Sequence, residues 1–322
     1  MSADTVAVQR RASEGAAAPT RRIDWLNVIG ISLYHVVALF AVLPSLFSWT
    51  GVVVLVLGIC VFGGLGINLG YHRLLTHRGF VCPKWLEHFF VVLAVCAFQD
   101  TPARWVAVHR RHHEHADEEP DPHSPIISFL WAHVGWLLVI GDEMERMHIY
   151  SRYARDIVRD PFYRRLDKLP IYGLVILASW IVFFVAGMLI GAAFGADAID
   201  CLQLGLSVLV WGVFVRTVLV WHITWSVNSV THVWGYRNYE TDELSTNNFV
   251  VALLSGGEGW HNNHHADPRS ARHGHHWWEI DTVYWMIRIL AFVGLASEIA
   301  EPNQHRLASK KRLVTRTPTT AD

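Results

Sequence analysis

Nine histidines of this chain fall into four short clusters beside long apolar stretches. They are His72 and His77 in YHRLLTH, His109, His112 and His113 in HRRHH, His232 in NSVTH, and His261, His264 and His265 in WHNNHH. Neutral imidazole is the commonest metal-binding side chain. Nine are too many for one ion and about right for two. The sequence therefore predicts a dinuclear metal site with oxidative chemistry on a molecule of the bilayer.

The spacing within the clusters is that of ligands on one helix face. Residues three and four apart share a face of an α-helix, which applies to HRRHH, to HNNHH and to the pair Asn228 and His232. His72 and His77 are five residues apart, about 140° round an α-helix. We therefore expect these two side chains to diverge, with the first cluster giving one histidine to each metal.

The sequence limits the choice of metal without fixing it. The four cysteines, Cys60, Cys82, Cys96 and Cys201, show no CxxC spacing, and no HExxH motif is present. Structural zinc sites usually include cysteine. Sites built from imidazole suit iron, zinc, copper or nickel. A histidine-dominated di-iron centre is the best account, and the other metals stay open at this point.

Four apolar stretches must position these histidines. They cover residues 28–49, 51–69, 172–194 and 202–225, in a chain that is 52% hydrophobic and 17% charged. Segments of about 20 residues reach roughly 30 Å as helices, the thickness of the hydrocarbon core. The net charge of -1 gives no basic excess for binding nucleic acid. The composition predicts an integral, multi-pass membrane protein.

The distribution of basic residues predicts an orientation. Arg and Lys concentrate in the N-terminal tail, in 71–170 and near the C-terminus, whereas the turns at 49–51 and 195–200 contain none. The positive-inside rule then places both termini and all histidine clusters in the cytoplasm. We expect an all-α membrane protein with four transmembrane helices in two hairpins. Residues 24–300 would form a single domain, between disordered tails at 1–23 and 301–322.

Four motifs carry a family resemblance. GYHRLLTHRGF, HRRHHEHADEEPDPHSP, NSVTHVWGYRNYE and EGWHNNHH resemble the histidine boxes of membrane fatty-acyl desaturases, especially the delta-9, stearoyl-CoA-desaturase-like type. The resemblance spans about residues 24–293. It implies four spanning helices capped by a cytoplasmic helical domain that holds two iron ions. It implies all nine clustered histidines as ligands, Asn228 as a ligand through a water, and O2-dependent insertion of a cis double bond into a long acyl chain.

Residues next to the boxes are candidates for supporting roles. Metal-bound imidazoles usually donate their second N–H to a carboxylate or carbonyl, which Asp121 and Glu258 could accept, with His222 as a further neighbour. Val56 and Cys60, about one turn apart on the second apolar stretch, are candidates for the end of a substrate tunnel. Arg216 lies within the fourth stretch, so it must face a polar cavity near the site or form a structural pair.

Several functional alternatives remain at this stage. The same centre in a membrane hydroxylase or oxygenase would oxidise a lipid or hydrocarbon, while a metal or haem transporter would need ligands along the membrane interior. A desaturase would take a long-chain acyl-CoA or an acyl lipid. It would also need a separate electron donor, such as a ferredoxin, cytochrome b5 or a reductase. The short chain with small basic tails favours a bacterial inner membrane.

Overall fold

Helices make up most of the chain. The computed structural model describes residues 21–141 and 146–311. Its α-helices are α1 Trp25–Ala38, α2 Trp49–Gly58, α3 Lys84–Cys96, α4 Pro102–His115, α5 Phe129–His133, α6 Arg146–Tyr153, α7 Arg155–Arg159, α8 Pro161–Leu166, α9 Leu169–Ala193, α10 Ala198–Leu209, α11 Arg216–Ser229, α12 Phe249–Ser255, α13 His261–Ala266, α14 Thr282–Phe292 and α15 Gln304–Lys310. π-Helices occupy Ile59–Thr76 and Val210–Val215, and 3-10 turns occupy Leu39–Val42, Pro44–Leu46, Gly135–Leu137 and Val230–His232.

Four continuous helical segments are long and apolar enough to cross a membrane. They are the first span Trp25–Val42, the second span Trp49–Thr76, the third span Leu169–Ala193 and the fourth span Ala198–His232. The second and fourth spans continue past the predicted ends at 69 and 225. Their last turns contain polar residues such as His72 and His232 that are buried by protein. Each helix therefore extends beyond its apolar stretch.

The third and fourth spans approach each other closely where both carry glycine. A Cβ added to Gly187 would lie 2.8 Å from the Cα of Gly205, closer than real side chains come. The fourth span begins at a cap in which the Asp197 carboxylate accepts backbone N–H bonds from Ile199 and Asp200, as expected of aspartate at this position. The two helices thus pack backbone against backbone.

The tails differ from the expectation of disorder. Arg21–Ile23 forms strand β1, which pairs antiparallel with β2, Val139–Gly141. Beyond residue 300, Asn303 begins helix α15, and Asp267 accepts a 2.7 Å hydrogen bond from Arg306. Both ends of the predicted domain are therefore ordered beyond residues 24–300. Residues 1–20 and 312–322 lie outside the described chain.

The histidine-bearing elements are tied together by a buried core and by an arginine. The apolar core joins α3, α4 and the short helices α6–α8 to the second span. Arg110 in α4 donates to the carbonyls of Leu75 and Thr76 at 2.9 and 3.1 Å. Arg110 also donates to Asp156 of α7 at 2.8 Å. Arg110, the first arginine of the HRRHH motif, therefore fixes α4 against the end of the second span.

Candidate metal centre

The nine clustered histidines separate into two groups of nitrogen atoms. His72, His77, His109, His113 and His264 form one, the five-histidine group, and His112, His232, His261 and His265 form the other, the four-histidine group. In each, one nitrogen per ring lies within 4.8 Å of all the others. The groups are neighbours, because the rings of His113 and His265 stack with centroids 4.4 Å apart.

The distances inside the groups fit metal coordination. An imidazole nitrogen lies about 2.1 Å from a metal such as zinc, and two bonds at right angles then place their nitrogens about 3.0 Å apart. The Nε2 atom of His264 lies 3.2 Å from that of His72 and 3.0 Å from that of His113. In the four-histidine group, Nε2 of His265 lies 3.1 Å from that of His261 and 3.3 Å from that of His112. These separations match edges of a coordination shell.

A buried nitrogen in the four-histidine group supports the same interpretation. His232 is 3% exposed, and its Nε2 has no hydrogen-bond partner in the described part of the chain. Its other nitrogen, Nδ1, lies 3.0 Å from Oδ2 of Asp117. A buried polar atom without a partner is costly, and a metal ion would remove that cost. The donor set contains only imidazoles, which suits iron among other metals.

The expectation that the side chains of His72 and His77 diverge is wrong, since both belong to the five-histidine group. The reason lies in the backbone between them. The second span ends as a π-helix, in which each N–H bonds five residues back, and the His77 N–H donates to the His72 carbonyl at 3.1 Å. Five residues then make about one turn. The rings lie on one side, with centroids 4.7 Å apart.

Carboxylates contact the outer nitrogens of several rings. Oε2 of Glu258 lies 2.6 Å from Nδ1 of His72, and Oδ2 of Asp121 lies 3.0 Å from Nδ1 of His112. Each carboxylate can thus fix the tautomer that leaves Nε2 free for a metal. Both residues were predicted from their place beside the boxes. Asp117, which holds His232, adopts φ 61°, a conformation that aspartate tolerates better than most residues.

Burial and crowding keep most of these imidazoles neutral. Burial, followed by the charge of neighbouring imidazoles, holds the pKa well below the usual value for His77, His109, His113, His261, His264 and His265. His112 differs: burial acts in the same lowering direction, but the Asp121 carboxylate outweighs it and raises the pKa of His112. Neutral imidazole is the form that binds metal.

One large cavity leads away from the five-histidine group. It has a volume of about 560 Å³ and is lined by His109 and Asn228 at one end. Its apolar walls come from the first, third and fourth spans and from the segment between α3 and α4. Tyr34, Trp180 and Trp221 line it deeper along the spans, with the Trp180 indole donating to the Tyr34 hydroxyl at 3.2 Å.

The tunnel residues chosen from the sequence do not line this cavity. Val56 is 56% exposed and Cys60 is also exposed, so both lie on the outer face of the second span. The apolar stretch did not indicate which face turns outward, since the second span is apolar all round. Arg216 also lies off the cavity: it donates to the carbonyls of Gly212 and Cys96 and covers the Phe62 ring at 4.1 Å.

The ring nitrogens of His222 contact other histidines than the nine clustered ones. Its Nε2 lies 3.1 Å from that of His35, and its Nδ1 lies 3.0 Å from Nε2 of His133. His133 continues the chain to the Ser229 hydroxyl at 2.9 Å. The prediction that His222 supports a metal ligand is therefore corrected: it joins the first span, α5 and the fourth span behind the cavity wall.

Two further buried histidines lie beside the two groups and were not predicted as site residues from the sequence. His273 is 1% exposed, its ring lies 4.5 Å from that of His264, and its Nδ1 lies 3.2 Å from Glu258. His123 is buried against His112, with ring centroids 4.3 Å apart. Neither repeats the helical spacing of the boxes, because both reach the centre from irregular segments. Their proximity to HNNHH and HRRHH was the available signal.

Comparisons with known proteins agree with this geometry. Residues 46–291 match the family described as Fatty acid desaturase. The chain is 42% identical over 291 residues to the sn-1 stearoyl-lipid 9-desaturase of Anabaena variabilis, covering 90% of this chain and 97% of that relative. It is 38% identical to the sn-2 palmitoyl-lipid 9-desaturase of Nostoc sp. (strain 36), covering 89% and 95%. It is 39% identical to the Acyl-CoA C20 Delta5-desaturase of Anemone leveillei, covering 88% and 87%.

Proposed function

Because the chain belongs to the fatty acid desaturase family, and is thus an oxidoreductase acting on acyl lipids or acyl-CoA, we propose that it inserts a cis double bond at the delta-9 position. The substrate would be a long acyl chain, and the centre would hold two iron ions with O2 as co-substrate. The observation that carries this proposal is that the apolar cavity, lined by His109 and Asn228, reaches the five-histidine group, which adjoins the four-histidine group.

The two groups divide the proposed ligands between the ions. The five-histidine group would hold one iron. The four-histidine group would hold the other, with Asn228 as a further ligand through a water. Bound iron, with O2 and two electrons, supplies the oxidising power to remove hydrogens from two adjacent unactivated methylenes. The nine histidines would position the two ions as imidazole ligands.

The residues around the ions orient the ligands and exclude water. Asp121, Asp117 and Glu258 contact the outer nitrogens of His112, His232 and His72. Trp105 stacks on His109 at 5.1 Å, where the cavity begins. The aromatic and aliphatic walls of the cavity would hold the acyl chain beside the ions. A dry site also limits side reactions of the oxidant.

The arrangement in the membrane follows from the charge pattern. We place both termini and both histidine groups on the cytoplasmic side, with the four spans in two hairpins and a helical cap over the metal centre. The spans and the cap would act as one domain over at least residues 24–300. A bacterial inner membrane is the proposed location. A separate ferredoxin, cytochrome b5 or reductase would deliver electrons from the cytoplasm.

The test is a comparison of histidine variants in a bacterial host. We expect wild type to yield a new monounsaturated fatty acid, with the bond located by derivatisation and mass spectrometry. His112→Ala and His264→Ala should abolish it and lower bound iron, because each removes a ligand. His305→Ala, an exposed histidine outside both groups, is the control. Full activity in either ligand variant would refute the assignment, and hydroxylated chains without unsaturated ones would indicate a hydroxylase.

A further inference from the structure

We propose that His273 is a positioning residue of the metal centre, which accepts a hydrogen bond from the ligand His264 and itself donates to Glu258. His264 presents Nε2 to the five-histidine group, at 3.2 and 3.0 Å from the Nε2 atoms of His72 and His113. Its other nitrogen, Nδ1, is buried and has no hydrogen-bond partner among the residues that the structure describes. A metal-bound imidazole usually donates this second N–H to a neighbouring acceptor. His264 therefore needs an acceptor on its outer side.

His273 lies where that acceptor is required. It is 1% exposed, and its ring centroid lies 4.5 Å from that of His264. Its Nδ1 lies 3.2 Å from Oε2 of Glu258, and its Nε2 is buried without a partner in the described part of the chain. A neutral imidazole has one N–H and one free electron pair. Donation from Nδ1 to Glu258 therefore leaves Nε2 to accept from Nδ1 of His264, after a modest turn of the His273 ring.

The polypeptide holds His273 in this place from two sides. The backbone N–H of His273 donates to Oδ2 of Asp281 at 2.7 Å, and its carbonyl accepts from Nδ2 of Asn263 at 2.9 Å. Asn263 is fully buried and immediately precedes His264 in α13. An unpaired imidazole costs free energy on burial that a phenylalanine ring would not. An imidazole fixed in this way beside a metal ligand thus indicates a polar role and not core packing.

Two other roles for His273 fit the contacts less well. The five-histidine group of mutually close nitrogens does not include His273, which argues against a tenth ligand. His72, Glu258 and His273 form a further close set. However, the guanidinium of Arg73 lies 2.8 Å from the Glu258 carboxylate, and its charge would repel a third cation held there. A hydrogen-bonding role is the one that these contacts favour.

The proposed contact couples two ligands of the same ion. Glu258 lies 2.6 Å from Nδ1 of His72 and would also support His264 through His273. Among the ring contacts of the described chain, His273 meets rings of the five-histidine group alone, those of His72 and His264. Loss of His273 should therefore disturb one of the two ions. This inference rests on the proposed function, since it takes His72 and His264 as iron ligands.

The experiment measures iron affinity, by graded challenge with a chelator, and the Mössbauer spectrum of the full-length protein loaded with isotopically enriched iron. His273→Phe removes both contacts, so we expect the affinity for one of the two ions to fall about 10–100-fold, the usual effect of losing such a partner. The Mössbauer signal of that ion should change, and the signal of the other should not. His273→Gln should stay close to wild type, because its amide offers both an acceptor and a donor.

His275→Phe is the matched control, since His275 lies in the same segment and its Nδ1 contacts the Tyr239 hydroxyl at 2.9 Å. It should keep both ions and both signals. Circular dichroism checks the fold of each variant, and His273→Leu repeats the test if His273→Phe does not fold.

Wild-type iron affinity and spectrum in His273→Phe would overturn the inference. Equal losses in His273→Phe and His273→Gln would overturn it too, because the imidazole itself would then be needed as a ligand or for packing. In both cases, two ions bound to wild type leave the proposed function standing. A wild-type protein that binds no iron would defeat the proposed function and this inference together.

Discussion

At the scale of single residues, one buried arginine connects two of the histidine boxes. Arg73, 1% exposed, donates to Glu258 at 2.8 and 3.0 Å and to Asp281 at 3.0 Å. Glu258 also contacts His72. Burial opposes ionisation of Glu258, but Arg73 and the nearby imidazoles outweigh it and hold its pKa well below the usual range. The carboxylate is thus charged and available to accept from the imidazole.

The variant Glu258→Gln tests whether the carboxylate supports His72 as a metal ligand. An amide keeps the shape but weakens the contact with Nδ1 of His72, so we expect activity or iron affinity to fall about 10–100-fold, the usual effect of losing such a partner. Activity and bound iron are measured on purified protein. Glu301→Gln, which alters an exposed carboxylate bonded to Tyr284, should change neither. Wild-type iron content and activity in Glu258→Gln would show that the carboxylate does not support the ligand.

At the scale of helices and cavity walls, the lining of the cavity indicates a different limit to acyl-chain length from the one predicted on the second span. The deep wall of the cavity includes Tyr34 and Trp180, whose rings meet edge to face with centroids 5.9 Å apart. Two interlocked aromatic rings form a rigid stop for a methylene chain. Val56, on the exposed face of the second span, does not line this cavity.

Trp180→Ala should therefore lengthen the cavity. We expect the preference between acyl chains to shift toward longer substrates, measured as the ratio of kcat/KM for chains differing by two carbons. One methylene in an apolar pocket is worth roughly 1–3 kcal/mol, so for two methylenes a shift of at least about thirtyfold is the expected scale. Val56→Ala is the control and should leave the ratio unchanged. The opposite pattern, with only Val56→Ala changing the ratio, would restore the second span as the tunnel end.

The family and the four spanning helices were predictable because each depends on a local pattern. HRRHH and HNNHH show their ligand spacing directly, and the family inferred from the motifs is confirmed by the comparisons. The partition of His72 and His77 was not predictable, since a π-helix has no signal in this stretch. His273 and the cavity face of each span depend on tertiary packing, which an evenly apolar helix does not reveal.

At the scale of the whole molecule, orientation is the property on which substrate and electron delivery depend. The five-histidine group includes His72 from the end of the second span, and the neighbouring four-histidine group includes His232 from the end of the fourth span. The two ends must therefore lie on one side of the bilayer. The turn between the third and fourth spans, at 194–197, then lies on the other side. That turn contains Asp197 and no Lys or Arg, which favours the outer side.

Site-directed labelling decides the orientation. In a variant with Cys60, Cys82, Cys96 and Cys201 replaced by Ala, a single cysteine is introduced as Phe194→Cys or Ser309→Cys, both at exposed positions. A membrane-impermeant maleimide on intact bacterial spheroplasts should label Phe194→Cys at once. Ser309→Cys should react only after permeabilisation, because basic segments stay in the cytoplasm. Retained desaturation confirms a native fold in each variant. Labelling in the reverse order would place the metal centre outside, away from any cytoplasmic electron donor.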